Sequence, residues 1–457
     1  MIVPRLVAWA DERLGTRSFV KHALRKAFPD HWSFMLGESA LYALIVLIAT
    51  GIYLAFAFNP SGERGPYHGP YVPLQGTTVS GAYASVLQIS FVLPGGLLFR
   101  QVHHWAAVLF VAAILIHMTR VFLTGAFRRP RELNWMVGFS LLLLGLFEGF
   151  SGYSMPDDEL SGTGLRIGYS IAAATPFIGK WAAAFLTGGA FDSPQTTGRL
   201  YALHCILGPA LLLGAIALHM LILWRQKHTQ FRGPGATEAN VIGAPMWPNY
   251  AIVSLAFGSL IATLLVALGA FVQINPIWQY GPYHPWQVAA PAQPDWYLGW
   301  LDGALRIFPP VEINLAGYHI ESALLAGAVV PGIAIGLFLF WPFVERAFTH
   351  DGAVHNLLDD PFGVPQRTGI AAATFTFFAV LTFAGSNDIQ SYYLHVPVDV
   401  LTVAYRVLVF VLPLLAYLAT VELLRERTSW PPAENEGSRK TIVRTTSGGF
   451  DEKATRS

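Results

Sequence analysis

Long apolar runs alternate with polar segments along this chain. Eight of the runs come close to the ~20 residues that a helix needs to cross a bilayer. They occupy residues 37–58, 103–124, 134–154, 200–224, 250–272, 322–344, 369–385 and 400–424. The pattern predicts an all-α polytopic membrane protein with eight transmembrane helices, whose two termini lie on the same side of the membrane.

Basic residues set the direction of these helices. The terminal tails and the segments after the second, fourth and sixth crossings carry most of the 29 Lys and Arg residues. Positive charge accumulates on the cytoplasmic side of membrane proteins, so we predict a multi-pass protein of the cell membrane with both termini in the cytoplasm. The residues before Gly37 lack a cleavage-type motif of small residues, and no removable signal peptide is expected.

The crossings divide the chain into four parts. We predict a cytoplasmic N-terminal segment (1–35), a four-helix bundle (36–230), a second four-helix region with a long outer loop (231–425) and a disordered cytoplasmic tail (426–457). The outer segments are rich in Gly, Pro and aromatic residues rather than in charge. They should lie on the bilayer surface or dip towards it.

Composition supports a membrane location and narrows the chemistry. The chain has 457 residues, of which 53% are apolar and 12% charged, about half the ~25% charge of an ordinary soluble domain. The net charge of +1 gives no reason to expect a nucleic-acid partner. A single cysteine, Cys205, excludes an internal disulfide, a cysteine-ligated iron–sulfur cluster and a Cys-x-x-Cys-His haem attachment, so any redox cofactor needs other ligands.

Four of the 14 histidines fall inside predicted crossings, His103 and His117 in the second and His204 and His219 in the fourth. A lone histidine in a membrane helix is more often a hydrogen-bonded packing residue than a ligand. At about 100° of helix rotation per residue, however, residues 14 or 15 apart differ in direction by only about −40° or +60°. The two histidines of each helix therefore share one face and lie ~21 Å apart along its axis. Two such helices can hold two non-covalent, bis-histidine b-type haems that carry electrons across the bilayer. Because both helices run inward, we pair His103 with His204 at the outer iron and His117 with His219 at the inner iron.

Glycines repeat with the same spacing on the two helices that lack these histidines. Gly37 and Gly51 in the first crossing are 14 residues apart, as are Gly138 and Gly152 in the third. A residue without a side chain lets a flat macrocycle approach the backbone closely. Helix packing by small residues is the alternative, but the matching periods favour a bundle of the first four helices around two haems.

Three further polar residues lie beside the histidine pairs. Arg100 and Arg120 are each three residues from a predicted ligand and could pair with haem propionates, since an unpaired arginine at membrane depth is costly. His104 has no partner 14 or 15 residues away. We interpret it as structural.

Two short motifs mark the outer side, residues 152–156 (GYSMP) and 294–297 (PDWY). Pro294 and its counterpart in the first motif break the helices, and the aromatic residues Tyr153, Trp296 and Tyr297 can wall a pocket for a flat hydrophobic ring. Asp295 is the candidate base, because a carboxylate at the membrane surface can accept a hydroxyl proton and release it to water, as quinol oxidation requires. By residue type alone, an interfacial Asp next to Trp and Tyr is more often an aromatic-belt residue.

Taken together, these features resemble the cytochrome b subunit of quinol:cytochrome c oxidoreductases, over about residues 28–425. The likeness is greatest to the actinobacterial type found in cytochrome bcc complexes. Residues 100–106 (RQVHHWA), 124–131 (TGAFRRPR) and 226–231 (QKHTQF) are similar to the sequence of that subgroup.

The resemblance implies a function. A quinol, menaquinol in these bacteria, is oxidised at the outer face; one electron goes to a Rieske iron–sulfur subunit and the other through two b haems to a quinone at the cytoplasmic face. This contributes to the proton gradient. Partners are then the Rieske subunit, a c-type cytochrome subunit, a second copy in a homodimer of the complex, membrane lipids and, in a supercomplex, a terminal cytochrome c oxidase.

The resemblance also implies site residues, and this chain departs from the wider family at several of them. Asp295 stands where most members carry the longer Glu, and Asp302 is a candidate second proton acceptor. Asp157 and Asp158 replace the Trp-Gly of mitochondrial relatives at the floor of the outer pocket, and Arg225 replaces a family histidine at the inner quinone site. Candidates for that inner site are Trp32, Ser33, Glu38, Lys227 and His228.

Two other functions fit part of the pattern. A di-haem membrane anchor of another quinone-linked oxidoreductase would share the histidine pairs but has no need of the outer carboxylate motif. A transporter would explain eight crossings but not the matched spacings of His and Gly. The cytoplasmic tail is shorter than in actinobacterial members, which leaves open a paralogue in another complex.

Overall fold

The computed structural model describes residues 2–29, 31–287, 293–315, 318–429, 439–444 and 450–455. Eight of its helices are long and apolar enough to cross a membrane. We name them span 1 to span 8 in chain order: Trp32–Ala57, Gly96–Leu123, Glu132–Tyr153, Gln195–Gln226, Met246–Phe271, Ser322–Leu339, Pro365–Ala384 and Val398–Arg427. The predicted all-α fold with eight crossings is confirmed.

Two spans end elsewhere than the apolar pattern predicts. Span 6 stops at Leu339 because the backbone at Phe340 leaves the helical region (φ −95°, ψ 10°), and Pro342 then opens a separate helix, Trp341–Thr349. Span 8 belongs to a helix that continues to Ser429. The first residues of the segment predicted to be a disordered tail therefore extend this helix.

Span 4 is not a uniform α-helix. It consists of an α-helix Gln195–Ala202, a single π-helical turn Leu203–Leu207 and an α-helix Gly208–Gln226. Such turns inside α-helices often occur at functional sites, and this one contains His204. A similar turn lies in span 6 at Leu325–Val329, whereas span 5 opens at Met246–Tyr250 with a kink at Trp247, whose backbone is extended (φ −118°, ψ 136°).

Short helices fill the segments between the spans. Between spans 1 and 2 lie the 3-10 turn Val72–Leu74 and the helix Gly81–Phe91, and between spans 3 and 4 the helices Glu159–Ala174 and Gly179–Thr187. Between spans 5 and 6 lie the helix Ile277–Tyr280, the 3-10 turn Trp296–Leu298 and the helix Gly299–Ile307. The helix Asn387–Leu394 lies between spans 7 and 8. At the opposite end lie Ile2–Leu14, Thr16–Leu24, Trp341–Thr349 and a 3-10 turn, Pro361–Gly363. The outer segments are thus helical along much of their length.

The strands form short antiparallel pairs. Ala27–Phe28 pairs with Ala244–Pro245, Arg64–Pro66 with Thr78–Ser80, Ile313–Leu315 with Tyr318–Ile320, and Arg439–Arg444 with Phe450–Thr455. The last pair lies in the tail for which the sequence predicts disorder; residues 430–438, 445–449 and 456–457 of that tail are outside the described residues. The first pair ties the N-terminal segment to the start of span 5.

The first four spans share one core. Buried residues from each of them, including Leu44, Phe110, Phe139 and Leu212, belong to a single apolar cluster. Span 5 packs beside it through Leu265 and its neighbours. Spans 7 and 8 form a second cluster with the outer helix Gly299–Ile307. The first four spans therefore make a bundle.

The outward faces of the spans are apolar. Phe56 and Phe271 are 90% and 88% exposed, and water would not solvate such faces favourably. Such faces suit a bilayer, and together with the eight apolar spans they indicate a multi-pass membrane protein.

Candidate functional site

A cavity of about 300 Å³ lies in the outer half of the four-helix bundle. Most of its lining is apolar, from spans 1 to 4 and from the segment between spans 5 and 6. Its polar and glycine lining includes Gly51, Arg100, His103, His104, Glu148, Gly152, Tyr153, His204, Asp295 and Tyr297. The outer histidine pair and the outer carboxylate, which are far apart in the sequence, therefore open onto one space.

His103 and His204 face each other across this cavity. Their ring centroids are 6.2 Å apart and the rings are inclined by 78°. The Nδ1 atom of His103 is 2.9 Å from Thr50 Oγ1, and Nδ1 of His204 is 3.0 Å from the carbonyl oxygen of Glu148. Hydrogen bonds at Nδ1 leave Nε2 of each ring for a metal, and metal–imidazole bonds of about 2 Å fit between rings at this separation.

Each of the four predicted glycines lies against one of the four histidines on a neighbouring span. A Cβ atom at Gly37 would be 3.2 Å from the His117 ring, one at Gly51 would be 3.1 Å from His103, one at Gly138 would be 3.3 Å from His219, and one at Gly152 would overlap His204. The sequence predicts that these glycines leave space for a flat macrocycle. In the structure they also leave space for the imidazole rings themselves.

The inner pair lies one repeat further along the same helices. Gly37 lies against the ring of His117 and Gly138 against that of His219, at the other end of the bundle from His103 and His204. The Nδ1 atoms of both rings are buried and have no hydrogen-bond partner among the described residues. No described side chain therefore holds either ring through Nδ1, in contrast to the pair His103 and His204.

The two arginines beside the histidines differ in their surroundings. Arg100 donates from Nη2 to the carbonyl oxygen of Asn275 at 2.5 Å and lines the outer cavity. Arg120 lies over the ring of Phe34, 4.1 Å from its centroid, and its buried Nε and Nη2 have no hydrogen-bond partner in the described structure. Arg120 in particular fits a carboxylate of a bound group, such as a haem propionate.

Asp295 is held at the cavity by a tyrosine hydroxyl and an imidazole. Tyr297 donates its hydroxyl hydrogen to Oδ2 at 2.9 Å, and Nε2 of His104 lies 3.3 Å from Oδ1. Burial by itself would raise the pKa of Asp295, but the hydrogen bonds and charge of His104, with the bond from Tyr297, outweigh it and hold the pKa below its ordinary value. The carboxylate is thus ionised near neutral pH.

His104 contacts the candidate base, and the sequence does not indicate this contact. We interpreted it as structural because it has no partner at the haem spacing, yet it points from span 2 to Asp295, 191 residues away. The only local signal was its position next to His103, which turns it to a different face of the helix.

The other predicted outer residues are placed in different surroundings. Tyr153 and Tyr297 line the cavity, whereas Pro294 and the 44%-exposed Trp296 are not among its described lining residues. Asp302 also lies outside it and accepts a hydrogen bond from Arg306 Nε at 2.9 Å. Burial raises the pKa of Asp302 to about 6 despite that arginine.

The two aspartates after the GYSMP motif mainly shape the backbone. Asp158 is buried and caps the helix Glu159–Ala174, since its Oδ1 accepts hydrogen bonds from the backbone N–H groups of Leu160 and Ser161. Asp157 has a left-handed backbone (φ 57°) and lies 3.5 Å from Arg64. Burial raises the pKa of Asp157 to about 6.

Two of the five inner-site candidates come together around an unpredicted aromatic pair. Glu38 accepts hydrogen bonds from Tyr250 and from Ser254. The ring of Phe28 lies 4.3 Å from that of Tyr250 and 4.5 Å from that of His228. Burial and nearby cations lower the pKa of His228 to about 4, so this imidazole is neutral at pH 7.

The remaining inner candidates lie apart from this cluster. Trp32 is 71% exposed. Ser33 is buried and its hydroxyl is 2.8 Å from His31 Nδ1. Lys227 is exposed, and its carbonyl oxygen accepts a hydrogen bond from Arg131.

Comparison with known proteins identifies relatives along most of the chain. Residues 108–282 match the family model described as "Cytochrome b(N-terminal)/b6/petB". The "Cytochrome bc1 complex cytochrome b subunit" of Streptomyces coelicolor is 45% identical over 416 residues, 91% of this chain and 76% of that protein. The protein of the same name from Mycobacterium leprae is 48% identical over 411 residues, 90% of this chain and 74% of the relative.

A third relative and a solved structure agree with these. The protein of that name from Corynebacterium diphtheriae is 45% identical over 413 residues, 90% of this chain and 76% of its own length. A chain of the solved structure "Hyperthermophilic respiratory Complex III" superposes with a TM-score of 0.68 and 21% identity, covering 93% of this chain and 100% of that one. At that identity the structural likeness bears on the fold.

Proposed function

Since the chain belongs to the family of cytochrome b subunits of the bc1 complex, we propose that it oxidises a quinol at the outer cavity and reduces a quinone near the cytoplasmic face. Members of this family are multi-pass membrane subunits of a quinol:cytochrome c oxidoreductase, with b haem, quinone, and Rieske and cytochrome c partner subunits. The finer assignments below are our proposal for this chain.

One observation carries the proposal most directly. His103 and His204 face each other across the same cavity that Asp295 and Tyr297 line. Oxidising a quinol requires an electron acceptor, which a haem held by this histidine pair would be, and a proton acceptor, which Asp295 would be, beside one apolar space. A di-haem anchor would need only the first, so the Asp295 cluster favours quinol oxidation over that alternative.

We assign one haem to each histidine pair. Haem bound at His103 with His204, and at His117 with His219, would supply one-electron carriers between the outer and inner faces. Thr50 and the backbone of residue 148 orient the outer imidazoles, and the glycines keep side chains away from them. Arg100 and Arg120 offer positive charge to propionates from opposite ends of span 2.

Asp295 is the proposed proton acceptor for the quinol. Its carboxylate is ionised near neutral pH and faces the cavity, and its 3.3 Å contact with His104 is long enough to be exchanged for a bond from a quinol hydroxyl. Tyr297, whose pKa burial raises well above its ordinary value, stays protonated and keeps Oδ2 in place. Tyr153 walls the same space.

The inner quinone site is proposed around Glu38 and His228. Phe28 and Tyr250 provide flat surfaces for a quinone ring, and the Tyr250 hydroxyl with Glu38 forms a hydrogen-bonded pair that could supply a proton. Lys227, Ser33 and Trp32 are close to this site in sequence, but they lie apart from the cluster of Glu38 and His228.

The assembly and orientation complete the proposal. The excess of Lys and Arg in the tails and in alternate connections supports cytoplasmic termini, which places the Asp295 cavity on the outside. The likeness to actinobacterial proteins supports menaquinol as substrate, a homodimeric complex, and a supercomplex with a terminal cytochrome c oxidase.

An optical spectrum and one substitution test this function. The complex should show a dithionite-reduced b-type haem band, and Asp295→Asn should lower quinol-dependent reduction of cytochrome c by about 100-fold or more, the usual range for losing a general base. Both haems should remain. Glu63→Gln, which changes an exposed outer carboxylate, is the control.

Absence of the b-type band would overturn the haem assignment together with the function. Full turnover in Asp295→Asn with both haems present would instead show that another group accepts the proton.

A further inference from the structure

Glu148 is a carboxylate inside the membrane part of the bundle. It lies in span 3, its residue is 9% exposed, and it lines the outer cavity. Ionisable groups at such depth are expensive to bury and commonly serve a functional site. Neither the sequence motifs nor the quinol chemistry described above uses this side chain.

The contacts of Glu148 point to one partner. Its Oε2 atom is 3.1 Å from Nδ1 of His204. The other oxygen, Oε1, is buried and has no hydrogen-bond partner among the described residues. The same Nδ1 also lies 3.0 Å from the carbonyl oxygen of Glu148 and 3.3 Å from Ser151 Oγ, so three oxygens surround the nitrogen, and one of them belongs to a carboxylate.

The neighbouring helix is shaped to admit this carboxylate. Gly208 faces it, and a Cβ atom at that position would overlap Oε1. Gly208 comes directly after the π turn Leu203–Leu207 that carries His204. An irregular turn presents the histidine, and an absent side chain leaves room for the acid beside it.

None of the other three histidines has a carboxylate contact among the described residues. Nδ1 of His103 lies against the neutral hydroxyl of Thr50. Nδ1 of His117 and of His219 has no hydrogen-bond partner in the described structure. His204 thus differs from the other three histidines by its carboxylate contact. An effect of this carboxylate on a bound haem should be confined to the outer pair.

We propose that Glu148 is a positioning residue that acts through His204 and lowers the reduction potential of the outer haem. This rests on the proposed function, because it requires haem at the outer pair. A carboxylate beside the far nitrogen of a ligating imidazole fixes the ring and strengthens its donation to the metal. Its negative charge favours the ferric over the ferrous state, which carries one positive charge fewer.

Redox titration of the complex, followed by optical spectra, tests this inference. In Glu148→Gln, we expect the equilibrium constant for reducing the outer haem to rise about tenfold, equivalent to about 59 mV for a one-electron couple. The inner haem should be unchanged. Glu148→Asp keeps the charge and should retain most of the wild-type potential, and the control Ser151→Ala, which removes a neutral contact to the same Nδ1, should shift it less than Glu148→Gln.

The outcomes separate this inference from the function on which it rests. An unchanged outer potential in Glu148→Gln with both haems bound overturns it, as does an equal shift of both haems. If Glu148→Gln loses the outer haem, the Glu148→Asp variant decides between charge and packing. Retention of haem and potential in Glu148→Asp supports the role of the charge, whereas loss of the outer haem in both variants overturns the inference. A wild-type complex without b-type haem would refute the proposed function first.

Discussion

A methyl group at residue 51 would meet the ring of His103, and this makes Gly51 a test of the outer site. The added Cβ would lie 3.1 Å from Cε1 of the imidazole, so the ring must give way by a few tenths of an ångström. We expect Gly51→Ala to lower the occupancy of the outer haem, measured as haem per protein from the reduced-minus-oxidised spectrum.

Gly214 supplies a matched control inside a membrane span. Nothing lies within 4 Å of a Cβ placed there, and Ala is favoured over Gly in a helix interior by up to about 1 kcal/mol. Gly214→Ala should therefore bind haem normally. Equal haem content in the two variants would contradict the role assigned to Gly51.

Single residues also show where prediction from the sequence failed. The His pairs and Gly pairs could be found because helical periodicity relates residues 14 or 15 apart. The contact of His104 with Asp295 joins residues 191 apart, and no local pattern encodes it. The same holds for Phe28 and Tyr250 beside Glu38.

At the scale of elements, a buried ion-pair network fixes span 7 to its neighbours. Arg367 near the start of span 7 pairs with Glu345 at 2.6 Å and with Asp359 at 2.8 Å, and Arg128 pairs with the same oxygen of Asp359 at 2.7 Å. Removing one partner of a buried pair leaves an uncompensated charge. We expect Arg367→Ala to lower the free energy of unfolding by about 3 kcal/mol or more, measured by thermal unfolding in detergent.

The pH dependence of this network has a defined sign. Burial would raise the pKa of Asp359, but Arg367 and Arg128 outweigh it and hold the pKa below its ordinary value, which is about 3.9. A carboxylate whose pKa is lowered on folding stabilises the fold at pH values above its ordinary pKa. This stabilisation is lost as the pH falls through the lowered pKa. Arg367→Ala should thus differ most from wild type at neutral pH and less below about pH 4. The exposed Arg346→Ala on the adjoining helix is the control, and an equal loss there would contradict the network.

Helix identity was predictable at this scale, but helix detail was not. Twenty apolar residues are sufficient to predict a crossing because lipid cannot satisfy exposed backbone groups. The apolar pattern indicates neither the π turn at His204 nor the break at Phe340.

At the scale of the whole molecule, orientation is the property that remains to be tested. We predict that alkaline phosphatase fused after residue 192, between spans 3 and 4, is active, and that a fusion after residue 429 is inactive, because the enzyme matures only outside the cytoplasm. A fluorescent protein at the same positions should give the opposite pattern. Activity at residue 429 alone would reverse the assignment and place the Asp295 cavity inside.

The sequence by itself determined the membrane class, the eight crossings, the family and the spacing of the histidine pairs, because hydropathy and helical period are local and a bilayer leaves few alternatives. Only the tertiary structure decided which groups surround the outer pair. His104 at Asp295, Glu148 at His204, and Phe28 between Tyr250 and His228 are contacts between segments distant in the chain. They arise from the relative rotation and depth of packed helices, which the apolar pattern of each helix does not specify.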